Sequence, residues 1–273
     1  MAVTMAEISK LRTMTGAGMM DCKNALTEAN GDMDQAIELI RKRGQAIAAK
    51  RSDRQASEGC VLSASNGEFA AVVAIKCETD FVAQNADFIA LTQSILDAAM
   101  ANKIADKEAL LALEIDGRSI ADLITDRSGI TGEKMELGFY EVVNGAATVA
   151  YIHPGNKLAT VVAFNEALDA QVAREVAMQV AAMNPIAVKR DEVPANIIAT
   201  ELEVGREKAR QEGKPEAMLD KIAEGRLNKF YKESTLLEQD FIKDAKVSVQ
   251  QYLKQVSASL TATAFKRVTL NEE

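Results

Sequence analysis

The residues with the most reactive side chains are one histidine and three cysteines, and their spacing does not predict a catalytic site. His153 is the only histidine. A Cys–His nucleophile would need it near Cys22, Cys60 or Cys77, and no local motif of such an enzyme is present. The chain also has no Gly-x-Ser-x-Gly elbow and no cysteines and histidines at metal-ligand spacing. The sequence therefore favours a protein that acts by binding, with no covalent chemistry, metal or cofactor.

Composition and charge narrow the classes of partner. The net charge is −8 and the isoelectric point is near 5.0, which argues against binding a nucleic-acid backbone. No stretch approaches the ~20 apolar residues of a membrane span, and the first residues lack the features of a signal peptide. Three widely separated cysteines fit reduced thiols. We expect a cytoplasmic protein without direct membrane or nucleic-acid contacts.

One strand-to-helix connection places a charged residue beside a large aromatic one. The apolar run Phe69–Ile75 predicts a buried strand, and the apolar spacing in 86–100 predicts a helix. Asp80 and Phe81 lie between them. Two interpretations remain open. Phe81 could fold back as a staple while Asp80 caps the helix, or Phe81 could be an exposed anchor for a partner.

Residues 1–45 are predicted to form a small three-helix module that binds a partner. The helices are expected at about Met5–Thr13, Met19–Glu28 and Met33–Arg43, and Gly44 is expected to end the third. Because adjacent residues on a helix point in different directions, at least one of Met19 and Met20 should face solvent.

The Gly-x-Gly turn at residues 16–18 has two possible interpretations. Such a loop before a helix could cradle a phosphate. However, it follows a predicted helix rather than a strand, and the chain lacks a P-loop motif. A tight turn between two helices is the favoured interpretation, so no direct nucleotide binding is expected.

The rest of the chain is predicted to be an α+β core. Residues 46–57 are rich in Ala, Lys and Arg and have no broad apolar face, which favours a solvated linker over a basic steering surface. This linker could be a continued helix or a mobile connector. Asn-Gly pairs at 66–67 and 144–145 indicate hairpin turns. We expect two subdomains, at residues 58–137 and 138–273, each with an antiparallel sheet backed by helices.

Within the second subdomain, residues 194–233 have a different pattern. Sparse apolar residues alternate with many charges, and a Gly-Lys-Pro turn at 213–215 divides the stretch. This pattern predicts a protruding antiparallel helical hairpin with the narrow seam of a coiled coil.

Two motifs resemble the signatures of bacterial elongation factor Ts, the family of nucleotide-exchange factors for the GTPase elongation factor Tu. The first is TGAGMMDCK at residues 15–23, and the second is CETDFVA at residues 77–83. One departure is that Ala74 and Lys76 stand where the family commonly has Glu and Asn. The similarity of layout extends over essentially the whole chain.

The resemblance implies a fold and a mechanism. The N-terminal module would be UBA-like, and the core would consist of two related subdomains with a coiled-coil hairpin. The factor would bind elongation factor Tu–GDP and promote GDP release by disturbing its Mg²⁺/phosphate site. The expected assembly is a homodimer or a 2:2 complex. The implied contact residues are Thr79, Asp80, Phe81 and Val82 in the loop, Met19, Met20 and Lys23 in the N-terminal module, and His153 at a predicted hairpin turn.

A second class of function stays open at this point. The chain could be a scaffold or adaptor whose N-terminal module binds an unrelated partner while the core only dimerises. An exchange factor would retain a nucleotide-free GTPase that GDP elutes, and a scaffold would not.

Overall fold

The computed structural model describes residues 3–271 of the chain. The α-helices are α1 (Met5–Thr15), α2 (Met19–Glu28), α3 (Met33–Lys50), α4 (Asp80–Ala83), α5 (Ala86–Asn102), α6 (Lys107–Ala112), α7 (Ile120–Thr131), α8 (Ala170–Met183), α9 (Ala195–Gln211), α10 (Leu219–Ser234) and α11 (Val249–Val256). The β-strands are β1 (Glu58–Ser65), β2 (Phe69–Cys77), β3 (Glu114–Ile115), β4 (Arg118–Ser119), β5 (Glu136–Asn144), β6 (Ala147–Ile152), β7 (Leu158–Phe164), β8 (Asp240–Phe241), β9 (Asp244–Ser248) and β10 (Ala262–Thr269). Short 3₁₀ helices lie at Arg190–Glu192 and Glu216–Met218.

These elements confirm the predicted mixture of helices and antiparallel sheets. The described residues form two compact units. Residues 3–62, 73–141 and 270–271 form the first unit, and Ser63–Val72 with Val142–Thr269 form the second. None of the helices within residues 3–271 is long and apolar enough to cross a membrane.

The third helix is longer than the sequence predicted, and the reason is a close contact between two glycines. α3 continues past Gly44 to Lys50, so the prediction that Gly44 ends the helix is wrong, and the first five residues of the predicted linker, 46–50, are helical. Gly44 is buried, and a Cβ added to Gly129 on α7 would lie 2.1 Å from the Gly44 Cα atom. Gly44 therefore serves the approach of two helices, because only glycines allow backbones to come this close.

The strand that leads into the Asp80–Phe81 loop is buried along nearly its whole length. β2 is the middle strand of a three-stranded sheet with the order β1-β2-β5. Every residue of β2 except Lys76 is buried, as its continuous apolar run predicts. The loop therefore starts from a well-packed base.

The two Asn-Gly pairs have different structures. At the first, the Asn66 N–H donates to the Phe69 carbonyl at 3.0 Å, and the turn joins neighbouring strands as predicted. At the second, β5 and β6 belong to different sheets, so a hairpin at Asn144-Gly145 is a wrong prediction. Here the Ala146 N–H donates to the Phe164 carbonyl at 3.0 Å, which leads the chain into the sheet of β6 and β7.

The second unit is built on the antiparallel sheet β10-β7-β6, with α8 among its core elements. The carboxylate of Glu175 is fixed by side chains of this unit. Glu175 on α8 accepts hydrogen bonds from the Lys243 ammonium and the Tyr252 hydroxyl, each at 2.6 Å. These two bonds, with the Lys243 bond the stronger cause, lower the pKa of Glu175 from 4.5 to about 2. The ionised carboxylate therefore stabilises the folded unit at neutral pH.

The helices α9 and α10 pack against each other through small residues. A Cβ added to Gly205 would lie 3.0 Å from the Ala223 Cα atom, so the two backbones approach closely. Across the seam, the Arg206 Nε atom lies 2.7 Å from an Asp220 carboxylate oxygen. The predicted pair of mostly polar helices with a narrow apolar seam is thus present in the second unit.

Candidate functional site

The loop after β2 contains a single helical turn, α4, that begins at Thr79. The Thr79 hydroxyl accepts a hydrogen bond from the Val82 N–H at 3.4 Å, which makes Thr79 the N-cap residue. Asp80 and Phe81 are then the first two helical residues. Asn85 caps the next helix, α5, by accepting from the Asp87 and Phe88 N–H groups.

Phe81 is the most exposed large apolar side chain of the described residues. It is 84% exposed, and Asp80 beside it is also exposed. The interpretation of Phe81 as a staple and Asp80 as a cap is therefore wrong, because Phe81 does not pack on α5 and other residues cap both helices. By contrast, Ala83 of the same turn is buried and Val82 is half-buried, so the turn is anchored on one side. An exposed aromatic ring on a fixed turn can insert into an apolar cleft of a partner.

A residue that the sequence did not single out holds the base of this turn. The Glu133 carboxylate accepts hydrogen bonds from the Glu78 N–H and the Thr79 N–H, each at 3.1 Å. It also accepts one from the Thr79 hydroxyl at 2.6 Å. Glu133 lies 54 positions after Thr79 in the chain, within a short polar connection that carries no sequence signal of its own. Only the folded chain brings the two segments together.

The three candidate residues of the N-terminal helices lie on α2, in the same unit as the loop. Met19 is 48% exposed and Met20 is 63% exposed, and Lys23 is exposed as well. The prediction that at least one of the two methionines faces solvent is confirmed. Flexible methionine side chains beside a lysine form a surface suited to an adaptable apolar contact with a charged edge.

His153 belongs to the second unit and lies at the turn between β6 and β7. Its side chain is exposed, and the Nδ1 atom lies 3.0 Å from the Tyr151 hydroxyl. The His153 N–H donates to the Leu158 carbonyl at 2.9 Å, which closes the turn. The imidazole therefore has a local partner in Tyr151 and a second nitrogen available for an external contact.

The cysteines have the properties of buried structural thiols. Cys22, Cys60 and Cys77 are free and buried. Burial raises the pKa of the Cys60 thiol to about 11 and that of Cys77 to about 12, so both are protonated at neutral pH. Within residues 3–271, no group of three or more His, Cys, Asp and Glu side chains could hold a metal ion. Cys60 and Cys77 therefore lack the lowered pKa that is typical of catalytic cysteines.

Comparison with known proteins identifies the family. Residues 78–272 match the family model for Elongation factor TS. An elongation factor Ts of Porphyromonas gingivalis is 63% identical over 274 aligned positions, and one of Azobacteroides pseudotrichonymphae is 56% identical over 274. An elongation factor Ts of Phocaeicola vulgatus is 48% identical over 330 aligned positions. All three alignments cover 100% of this chain and 100% of the relative. The chain belongs to the elongation factor Ts family and is thus a translation elongation factor.

Proposed function

We propose that this chain binds elongation factor Tu–GDP and speeds the release of GDP, so that GTP can bind. The observation that carries the proposal is the exposed Phe81 ring beside the exposed Asp80, on a turn with a buried base, in a chain of this family. Family membership supports elongation factor Tu as the partner, and the exposure of Asp80 and Phe81 supports this loop as the surface that acts on it.

The proposed mechanism needs no covalent step. A GTPase holds the diphosphate with backbone N–H groups and a Mg²⁺ ion that bridges protein and phosphate oxygens. A partner that binds the nucleotide-free GTPase more tightly than the loaded one weakens nucleotide binding by the same factor. Release therefore requires only that binding of the factor distorts the phosphate and Mg²⁺ site.

Within the loop, each residue has a distinct proposed part. Phe81 inserts between elements of the GTPase beside the Mg²⁺ site as a rigid apolar wedge. Asp80 adds a negative charge and a hydrogen-bond acceptor that disturbs the polar network there. Thr79 and Val82 shape the turn, Thr79 through its cap and Val82 through its half-buried side chain.

Other surfaces supply binding energy in this proposal. Met19, Met20 and Lys23 of the N-terminal helices contact the nucleotide-binding domain of elongation factor Tu. His153, at the exposed β6–β7 turn, contacts a second domain of the GTPase. Their exposure in the free chain supports these roles, because contact residues must be reachable by the partner.

The proposal extends to organisation and assembly. Residues 1–45 act as a UBA-like binding module, 46–57 as a connector, and 58–137 and 138–273 as the two core subdomains. Residues 194–233 form a protruding coiled coil. The factor works in the cytoplasm without a cofactor or a direct contact with nucleotide, membrane or nucleic acid, and it assembles as a homodimer or in a 2:2 complex with the GTPase.

The direct test is GDP release from a purified bacterial elongation factor Tu. Fluorescent GDP is preloaded, and its release into excess unlabelled GDP is followed by stopped flow with increasing amounts of this chain. The proposal requires a release rate that rises with factor concentration and then saturates. In a parallel pull-down, the immobilised chain should retain nucleotide-free GTPase, and added GDP should elute it. Retention that GDP does not reverse would point to a scaffold and overturn the proposal.

A further inference from the structure

The exposed turn at Asp80–Phe81 has its base fixed by one carboxylate. Glu133 accepts all three hydrogen bonds described above, from two consecutive backbone N–H groups and from the Thr79 hydroxyl. We propose that Glu133 is a positioning residue for nucleotide exchange, which sets the direction in which Asp80 and Phe81 leave the fold. This inference rests on the proposed function, because it assigns a role at the same loop.

The Thr79 hydroxyl links Glu133 to the helical turn. A hydroxyl has one proton to donate and lone pairs that accept. The Thr79 hydroxyl donates a hydrogen bond to the Glu133 carboxylate at 2.6 Å, which directs its lone pairs toward the Val82 N–H at 3.4 Å. Glu133 therefore orients the N-cap of α4, and the first turn of α4 carries the exposed pair. Bonds to an ionised acceptor are about twice as strong as neutral ones, so this orientation is well defined.

Glu133 can serve as a reference point because its own backbone is tied to the end of α7. The Glu133 carbonyl accepts from the buried Ser128 hydroxyl at 2.5 Å. The Glu133 N–H donates to the Thr131 hydroxyl at 3.3 Å. The backbone of Glu133 is therefore fixed through both its N–H group and its carbonyl group, and this fixes the origin of the carboxylate side chain.

A second contact returns from the loop to the same connection. The Glu78 carboxylate accepts from the Lys134 N–H at 2.6 Å. The Glu78 carboxylate therefore accepts a hydrogen bond from the backbone after α7, and the Glu133 carboxylate accepts hydrogen bonds from the backbone of the loop. These reciprocal bonds resist both sliding and rotation of the loop base. The remaining Glu78 oxygen lies 3.5 Å from the Arg51 guanidinium, just after the end of α3. The base of the turn is thus clamped on both sides, although the turn itself is exposed.

The test compares variants of Glu133 in the GDP-release assay. Glu133→Ala removes both acceptor oxygens and thus all three hydrogen bonds. Glu133→Gln keeps the shape and an acceptor for the backbone N–H groups but not for the Thr79 hydroxyl. We expect the saturating release rate to fall about 10-fold for Glu133→Ala and by less for Glu133→Gln. The half-saturating concentration should change less than twofold, because the other contact surfaces are intact. Glu136→Ala is the matched control, since its carboxylate pairs with Lys76 and Lys134 side chains rather than with the loop backbone.

A double variant separates positioning from a general structural role. If Glu133 acts through Asp80 and Phe81, the slowing by Glu133→Ala should be smaller in the Phe81→Ala background than in the wild type, because only the part that acts through Asp80 remains. A loss of overall fold would instead slow release by the same factor in both backgrounds and would lower the melting temperature. If Glu133→Ala by itself lowers the melting temperature, the release rates are compared with the isosteric Glu133→Gln instead.

The outcomes separate the inference from the proposed function. A wild-type rate in Glu133→Ala, an additive double variant, or a changed half-saturation with an unchanged maximal rate would each overturn the positioning role while leaving the exchange activity in place. If the wild-type chain does not accelerate GDP release, or Phe81→Ala has the wild-type rate, the proposed mechanism itself fails, and the inference fails with it. A lower maximal rate that is non-additive with Phe81→Ala supports both.

Discussion

Removing the Phe81 ring is the sharpest perturbation of the proposed mechanism. The side chain is 84% exposed, so the free protein gains little stability from it. Phe81→Ala should therefore change the free energy of unfolding by less than about 0.5 kcal/mol. Full burial of the ring in a partner would remove roughly 150 Å² of apolar surface from water, or about 4 kcal/mol at ~25 cal/mol per Å².

Part of that energy is offset by the cost of ordering the ring and opening the partner. If at least about 1.4 kcal/mol of it acts in the transition state for GDP release, the variant should be about 10-fold slower or more at saturation. The same factor should apply to release of labelled GTP, since the wedge acts on phosphate and Mg²⁺ geometry common to both nucleotides.

The assay is stopped-flow release of labelled nucleotide from elongation factor Tu, with thermal unfolding of the free variant measured in parallel. Phe139→Ala is the matched control, because this residue is an aromatic 42% exposed on β5, outside the proposed contact loop. A Phe81→Ala protein that is fully folded and releases GDP at the wild-type rate would refute the wedge. Equal slowing by Phe139→Ala would show that any exposed aromatic in this unit matters, and would refute the assignment to the loop.

Three further predictions follow from the packing and charges. Gly129→Ala should destabilise the protein by about 2 kcal/mol or more in urea unfolding, because the added Cβ would overlap the backbone of α3. The control is Gly225→Ala, which should be neutral or stabilising by up to about 1 kcal/mol, because no atom lies within 4 Å of the added Cβ. The free energy of unfolding of the wild type should fall by up to roughly 3 kcal/mol as the pH drops from about 4.5 to about 2, because Glu175 has a lowered pKa in the folded state and becomes protonated in this range. Glu175→Gln should flatten this part of the pH profile. An unchanged acid profile would contradict that account. Met20→Ser should raise the half-saturating factor concentration several-fold with the maximal release rate retained, whereas Met183→Ser, 43% exposed on α8, should not.

The elements of this fold were predictable where a local pattern is sufficient. The continuous apolar run of β2 and the apolar spacing of α5 follow from short stretches of sequence, and the structure agrees with both. The end of α3 was not predictable in this way. Gly44 has the sequence appearance of a helix stop, and its true role depends on Gly129, a glycine in a distant helix. The same limit explains the Asn144-Gly145 error, because a turn dipeptide does not specify which sheet the next strand joins.

The residues of the candidate site were also predictable only where the local sequence is sufficient. Asp80 and Phe81 could be singled out because a charge and an aromatic stand together in a loop, but the two local interpretations differed in the exposure of one ring. That exposure is a property of the folded turn, in which Thr79 and Asn85 cap the helices and the Phe81 side chain is 84% exposed. Glu133 could not be found at all from one sequence, because a single glutamate in a polar connection is ordinary until the fold brings it to the loop.

Exposure and rigidity together suit the turn to an exchange reaction. A ring buried in its own domain would have to leave that site before it could enter a partner, and the lost packing would be subtracted from the binding energy. A ring on a mobile loop would lose conformational freedom on binding, at a cost of about 1–2 kcal/mol per residue ordered. Phe81 avoids the first cost because it is exposed, and the contacts from Thr79 to Glu133 reduce the second because the turn is ordered before binding. In the proposed mechanism, more of the contact energy is then available to distort the Mg²⁺ site, and the dependence of the release rate on Glu133 would measure how much of it comes from this prior order.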